Sequence, residues 1–301
     1  MKSVKVSAGR EKFVRIPGLC MILNMDKEIF FHVGLAKTGT TYLQYRFFPY
    51  LRGIYYIQRT AYKKAFKIID STDYEKYLVS NEFDQQFYRE VGKIAARYPS
   101  AKLIIVLRRH DSWLASEYKR FVKNGFAGSV RDFLDIYNDS GWWKIEDFLF
   151  WPRIQFVLEN FKNKPLVLLY DELRERPFDF FDKLAEFTGT EYRRENISLK
   201  PVHRSFNEKE LKFRRWLNRY CTGEIPEKHD WRRPFQRYFF TYPVRYTVLS
   251  IGKILPDFLI PSEPLLDKSY LEEVREFFKD DWEKCLDYVK NENPVKGGKD
   301  G

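Results

Sequence analysis

Cysteine is scarce in this chain. Cys20, Cys221 and Cys285 are widely spaced and form no C-x-x-C pair. This argues against a disulfide scaffold and a zinc site, and it suits a reducing, cytoplasmic compartment. Long apolar runs are absent as well. The longest clean stretches, such as Leu103-Ile104-Ile105-Val106-Leu107, fall far short of the roughly 20 residues that span a bilayer. No transmembrane segment is expected, although peripheral contact with a membrane surface stays open. No repeat or low-complexity block is present, and no histidine lies between His32 and His110.

What is present is apolar and basic. The 301 residues are 44% hydrophobic and 18% aromatic, enough for one large or two small cores. Lys and Arg number 53 against 42 Asp and Glu, a formal charge of +11. Such a surplus suits nucleic acid, an anionic membrane surface, or small phosphorylated and sulfated ligands, and composition alone does not separate them. Residues 1–27 read as an N-terminal extension. Lys2, Lys5, Arg10, Lys12 and Arg15 precede a short apolar stretch that weakly resembles a signal peptide, but Asn24 and Asp26 follow too soon. Disorder or a misplaced start fits this segment better. Residues 28–290 read as one domain, and 291–301, with Pro294, Gly297, Gly298 and Gly301, as a disordered tail.

Within 28–290 short apolar strands alternate with helical stretches. Strands are predicted at 28–33, 54–57, 77–80, 102–107 and 165–169, and helices include 85–97, 111–124, 130–138 and 270–289. The alternation predicts an α/β fold, a P-loop-like three-layer arrangement with a central parallel sheet flanked by helices. Pro177 suits a helix start and Gly189 its stop. Asn207 with Glu210, and Ser269 with Glu272, have the spacing of capping boxes.

Chemistry concentrates at strand ends. Gly34-Leu35-Ala36-Lys37-Thr38-Gly39-Thr40-Thr41 follows the first of these strands and opens a helix, the arrangement of an anion-binding turn. A P-loop kinase places Lys directly after the second Gly. Here Thr40 fills that slot and the lysine, Lys37, comes three positions earlier. The strand 102–107 runs into Arg108-Arg109-His110, with Ser116 eight residues after Arg108. A guanidinium and a hydroxyl at that spacing can converge on one phosphate.

Together these motifs resemble the sulfotransferases that use 3′-phosphoadenosine-5′-phosphosulfate (PAPS) and release adenosine 3′,5′-bisphosphate (PAP), in particular a bacterial carbohydrate-type branch. Their first loop has the form Lys-x-Gly-Thr-Thr, and an Arg at a strand end is followed eight positions on by Ser. Here His110 replaces the usual Pro two residues after the Arg. Val167-Leu168-Leu169-Tyr170-Asp171-Glu172-Leu173 and Leu184-Ala185-Glu186-Phe187-Thr188-Gly189 resemble further family elements, so the likeness covers about 28–220. It implies that Ala36, Lys37, Thr38, Gly39, Thr40 and Thr41 hold the 5′-phosphosulfate, that Arg108 and Ser116 hold the 3′-phosphate, and that no metal is needed. It also implies a glycan or glycolipid hydroxyl as acceptor. The family's Arg-Lys-Gly element is missing; Arg204 in the basic stretch 192–219 is the substitute considered for the 3′-phosphate.

Within this reading Lys37 stabilises charge on the leaving phosphate. The base belongs after the strand 77–80, where Glu82 is preferred and Asp84 competes; capping of the next helix or pairing with a lysine is the structural alternative for Glu82. His32, inside a strand, reads as a core histidine, and His110 as a residue shaping its turn. Trp142, Trp143, Phe148 to Trp151 and the aromatics from Trp231 through Tyr246 read mainly as packing rather than as sugar platforms. Two other classes compete: a P-loop phosphotransferase, and a non-catalytic module binding anions or nucleic acid. The misplaced lysine and the lack of a magnesium carboxylate strand count against the first. No RNP-like, helix-turn-helix or zinc signature supports the second. Oligomeric state is not legible.

Overall fold

Ile29-Phe30-Phe31 is apolar without a break, as a strand covered on both faces must be. In the computed structural model this run is β3 (Glu28–His32), the central strand of five. The structure describes residues 11–16, 19–24, 27–200, 206–221, 247, 251, 255–260 and 262–295. The N-terminal segment contributes β1 (Glu11–Ile16) and β2 (Leu19–Asn24), an antiparallel pair of their own. The main sheet comprises β3, β4 (Tyr55–Ile57), β5 (Lys76–Ser80), β6 (Lys102–Leu107) and β7 (Leu166–Leu169), in the order β4-β5-β3-β6-β7. Every pairing in it is parallel.

Alternation along the strands sorts the core into two layers. Ile29, Phe31, Tyr77, Val79, Leu103, Ile105 and Val167 face one side. Phe30, Leu78, Ile104, Val106, Leu166 and Leu168 face the other. On the first side lie α2 (Ala65–Ser71), α3 (Phe87–Arg97), α4 (His110–Asn124), α5 (Val130–Phe133) and α6 (Trp151–Asn160), with α10 (Lys268–Phe277) and α11 (Lys279–Asn291) beyond them. On the second lie α1 (Thr40–Tyr42), which continues into a π-helical turn at Leu43–Phe47, and α8 (Pro177–Thr188). A short α7 (Tyr170–Glu175) joins β7 to α8, and α9 (Glu208–Cys221) packs on α4. The three-layer α/β fold read from the alternation is the fold observed.

Local differences have local causes. Pro177 opens α8 and Gly189, at φ 56°, ends it, as expected. Asn207 and Glu210 form a reciprocal capping box, backbone to side chain at 2.7 and 2.8 Å. Ser269, by contrast, is not a cap. Asp267 accepts from Tyr270 N–H, so α10 starts earlier, and the Ser269 hydroxyl donates to Asp267. The helix expected over 130–138 stops at Phe133 because Asp135 accepts from the Tyr137 and Asn138 amides and the Ser140 hydroxyl, closing a turn instead. Asn293, in the segment marked from sequence as tail, exchanges two hydrogen bonds with Val167 and so covers the outer edge of β7. The aromatics of 143–150 are core, Trp143, Phe148 and Phe150 all being buried, while the neighbouring Trp142 is exposed.

His110 and Asp281 tie three elements together. His110 is buried, stacked between Phe150 and Phe278, and contacts Asp281 at 3.1 Å. Asp281 also accepts from the Phe150 and Trp151 amides, satisfying orphan donors at the start of α6. Asp281→Ala should therefore lower unfolding free energy by about 2–3 kcal/mol, a lost cap plus buried unpaired N–H groups. Urea unfolding with an unchanged m-value checks this; a loss under about 0.5 kcal/mol contradicts it.

Candidate active site

Because β3 is flanked by β5 on one side and β6 on the other, chain direction diverges at its carboxyl end, where open α/β sheets bind ligands. The loops after β3, β5 and β6 meet there. Phe83 N–H donates to Val33 O, and Val106 N–H to Gly34 O, so both neighbours grip the loop's first residues. Gly34 lies at φ 108°, and a Cβ there would sit 3.2 Å from Phe83 N and 3.3 Å from Glu82 Cα. Only glycine allows this approach of the loop to the Glu82 backbone.

Two side chains from outside the loop engage both backbone polar groups of Ala36. Its N–H donates to Asp84 Oδ1 at 3.0 Å, and its carbonyl accepts from Trp113 Nε1 at 2.8 Å. Thr38 and Thr40 are buried, and both hydroxyls donate to Leu35 O, at 2.6 and 2.8 Å. Inside the loop these residues act as struts, so what Thr38 and Thr40 can offer a ligand is backbone. Lys37 stands between Ala36 and Thr38 in the left-handed region, φ 62°. A non-glycine residue there costs about 1 kcal/mol and belongs to turns whose successive amides form an anion-binding concavity. Gly39 follows at φ 85°, and a Cβ on it would strike Leu173 Cδ2 at 2.5 Å. Leu173 of α7 thus backs the turn directly, and α1 begins at Thr40, with Thr41 half-buried.

The Arg108-Arg109 pair divides its work. Arg109 makes a two-pronged pair with Asp111, at 2.7 and 3.0 Å. Arg108 faces the loop. Its Nη1 donates to Lys37 O at 3.2 Å, its Nε to Ser112 Oγ at 2.7 Å, and its head lies 4.6 Å over the Tyr170 ring. Ser112 is therefore the hydroxyl held against Arg108, and Ser116, half-buried, lies one turn further along α4.

Glu82 lies just beyond the end of β5, with its side chain 14% exposed and 3.4 Å from Arg59. It does not cap α3, whose first turn has no side-chain cap, and its partner is an arginine rather than a lysine. Burial raises its pKa above the ordinary carboxylate value and Asp84 adds to the rise, against the pull of Arg59, Arg120 and Lys37. Asp84, the rival base, has both oxygens engaged, one by Ala36 and one by Arg120 at 3.1 Å. Lys37 reaches solvent, yet desolvation holds its ammonium below the usual value; Arg120 and Arg108 add to this and Glu117 opposes it. Beside Glu82 opens a cleft of about 480 Å³, lined among others by Tyr62, Phe66, Phe83, Gln86 and Arg89.

Glu117 and Arg120 had no place in the sequence reading. Trp113, Glu117 and Arg120 share one face of α4, at i, i+4 and i+7, and a polar pair on an otherwise apolar face was the available signal. Glu117 is fully buried and ion-paired with Arg120; burial pushes its carboxyl up to about 8. His32 is a buried core residue, as expected. Its Nδ1 contacts Ser80 Oγ at 2.8 Å, and desolvation lowers its pKa to about 3, so the ring stays neutral. The basic stretch has a structural half. Arg214 and Arg215 of α9 are buried, and Asn218 caps the end of α4 through Val122 O. Arg204 and His203, like the aromatics from Trp231 through Tyr246, lie outside the described residues. Among the described residues no cluster of His, Cys, Asp and Glu could hold a metal ion, and no helix is long and apolar enough to cross a membrane.

No protein-family model and no curated protein matches the chain. Structures similar to it include a sulfotransferase from Alicyclobacillus acidocaldarius, 18% identical, covering 58% of this chain and 87% of that one at a TM-score of 0.47. Mouse sulfotransferase SULT7A1 complexed with PAP is another, 13% identical over 87% and 90% of the two chains at a TM-score of 0.40.

The left-handed turn separates the two properties of Lys37. Lys37→Gly removes the charge while relieving the backbone. It should unfold at the same or a higher urea concentration than wild type, yet bind pyrophosphate at least about tenfold more weakly, the value of one charge-assisted bond. A clear loss of stability, or unchanged binding, contradicts the assignment.

Proposed function

We propose that the chain transfers a sulfonate group from PAPS to a hydroxyl of a carbohydrate or glycolipid acceptor, in the cytoplasm, without a metal ion. The observation that carries this reading is the braced turn itself: an anion-binding concavity with Lys37 at its crest and Arg108 reaching its backbone from the neighbouring strand end. The residues fit a nucleotide with phosphates at both ends. The amides from Lys37 to Thr41 and the Lys37 ammonium suit the 5′-phosphosulfate, while Arg108, Ser112 and Ser116 suit the 3′-phosphate, the guanidinium steadied by Tyr170.

PAPS supplies an activated sulfonate, whose sulfur–oxygen bond breaks with its electron pair leaving on the 5′-phosphate of PAP. Lys37 offsets the charge that gathers on that phosphate, a role for fixed donors at developing charge. The acceptor enters through the cleft beside Glu82, where Tyr62, Phe66 and Phe83 offer apolar surface to a sugar. Glu82 takes the hydroxyl proton as the new sulfur–oxygen bond forms. Its raised pKa brings it toward the pH at which a base works well. Asp84 is the poorer base because its oxygens are engaged in bracing the loop. For a phosphotransferase the slot after Gly39 matters. It holds Thr40, buried and turned toward Leu35, where a phosphate-gripping lysine is required.

Incubation with PAPS and a panel of sugars and glycolipids, read as the mass gain of one sulfonate group, tests the activity. Glu82→Gln should bind PAP as wild type does but lose transfer by about 10²–10⁴-fold. With the wild type, rate should fall as pH drops and the carboxylate protonates, along a limb lying above the ordinary carboxylate range; normal transfer by Glu82→Gln would remove it as the base.

Arg108→Ala should weaken PAP by about 10–150-fold, the equivalent of about 1.5–3 kcal/mol, and barely affect adenosine 5′-monophosphate, which lacks the 3′-phosphate. Arg109→Ala, engaged with Asp111, should leave both unchanged. Equal weakening of both ligands by Arg108→Ala contradicts the assignment.

A further inference from the structure

Arg120 is held by two carboxylates from two elements. Its Nη2 contacts Asp84, on the loop after β5, at 3.1 Å, and Glu117, one turn back on α4. Its Nε is buried and has no hydrogen-bond partner among the described residues, while the side chain as a whole remains 28% exposed. The fork is therefore fixed at Nη2, Nε is enclosed, and the exposure lies at the rest of the side chain. Its charge is felt by both groups that flank the reacting centre: it depresses Lys37 more than Arg108 does, and it pulls down Glu82. The guanidinium thus lies within electrostatic reach of the turn on one side and of the candidate base on the other.

The charges around it do not cancel. Lys37, Arg59, Arg108 and Arg120 stand against Asp84, Glu82 and Glu117, the last buried and paired with Arg120. Four basic side chains face three acidic ones, so the cluster carries a surplus that an anion completes. A sulfonate in transit has three peripheral oxygens that gather charge, and Lys37 is assigned to the leaving phosphate.

We propose that Arg120 is a further catalytic residue, a cation that binds the peripheral oxygens of the transferring sulfonate between Lys37 and Glu82. This rests on the reading of the site as a PAPS site. Asp84 then serves twice, orienting Arg120 with one oxygen and bracing the Ala36 amide with the other. In the step itself Arg120 forms and breaks no covalent bond. The acceptor oxygen bonds to sulfur, the sulfur–oxygen bond to PAP breaks with its electrons, the proton goes to Glu82, and Arg120 holds the spectator oxygens throughout.

The discriminating comparison is PAPS against PAP, which differ by the sulfonate, measured by titration calorimetry without acceptor. Arg120→Met should weaken PAPS by about tenfold or more, the value of a lost charge-assisted bond, leave PAP within about twofold, and cut transfer by about 10²-fold. Arg120→Lys, which keeps the charge but loses the fork, is the second variant should the first fail to fold; it should fall between wild type and Arg120→Met in PAPS affinity. Equal weakening of PAPS and PAP would mean that Arg120 only braces the loop, and unchanged binding of both would remove it from the site; either overturns the proposal. A wild-type protein that binds neither ligand overturns the donor reading and this inference together, whereas wild-type binding with unaffected variants overturns only the inference.

Discussion

Ala36 has its N–H held by Asp84 and its carbonyl held by Trp113, so the residue before Lys37 is clamped from the loop after β5 and from helix α4 at once. Much of the site's geometry depends on that clamp. It lets Lys37 occupy a left-handed conformation that an unsupported turn would relax. It also sets the direction of the amides that follow into α1. The same clamp engages Asp84, while Glu82, two residues earlier and close to Gly34, faces the cleft.

Around the clamp the electrostatics are graded by burial. Burial pushes the Glu117 carboxyl, paired with Arg120, well up; Glu82, partly buried, has a raised pKa; Asp84, between a backbone amide and a guanidinium, serves as a brace. Glu82 and Glu117 are thus set apart from an ordinary carboxylate by desolvation, while Asp84 is defined by its two bonds. The cations differ in the same way. Arg109 is neutralised by Asp111, whereas Arg108 lies across the ring of Tyr170 and turns to the loop.

The parallel sheet was legible because its strands are apolar runs with alternating helices between them, and strand boundaries fell within a residue or so of those seen. The turn at 34–41 and the role of Pro177 and Gly189 were legible for a similar reason, since each is written in a handful of adjacent residues. What escaped was set by tertiary partners. Asp135 closing a turn ended a helix that periodicity carried on to 138, and Asp267 displaced Ser269 as a cap. Within the site, the Ser112 hydroxyl held against Arg108 is a further contact, one helix turn before Ser116. The Glu117–Arg120 pair was hidden because a charged pair on a helix usually faces water, and here Glu117 is buried. The direction of Ala36's amide was not readable at all, because it depends on Asp84, a residue 48 positions away.

If the clamped, lysine-crested turn and Arg108 form a site for a nucleotide bearing phosphates at both ends of its ribose, side chains supply the positive charge that such a ligand requires. Calorimetric titration with PAP in the presence of EDTA, beside ATP with magnesium, puts this to the test. Saturable one-to-one binding of PAP that the chelator leaves unchanged is expected, with markedly weaker binding of the ATP–magnesium complex. Tighter binding of ATP with magnesium, or PAP binding that vanishes with EDTA, would contradict it.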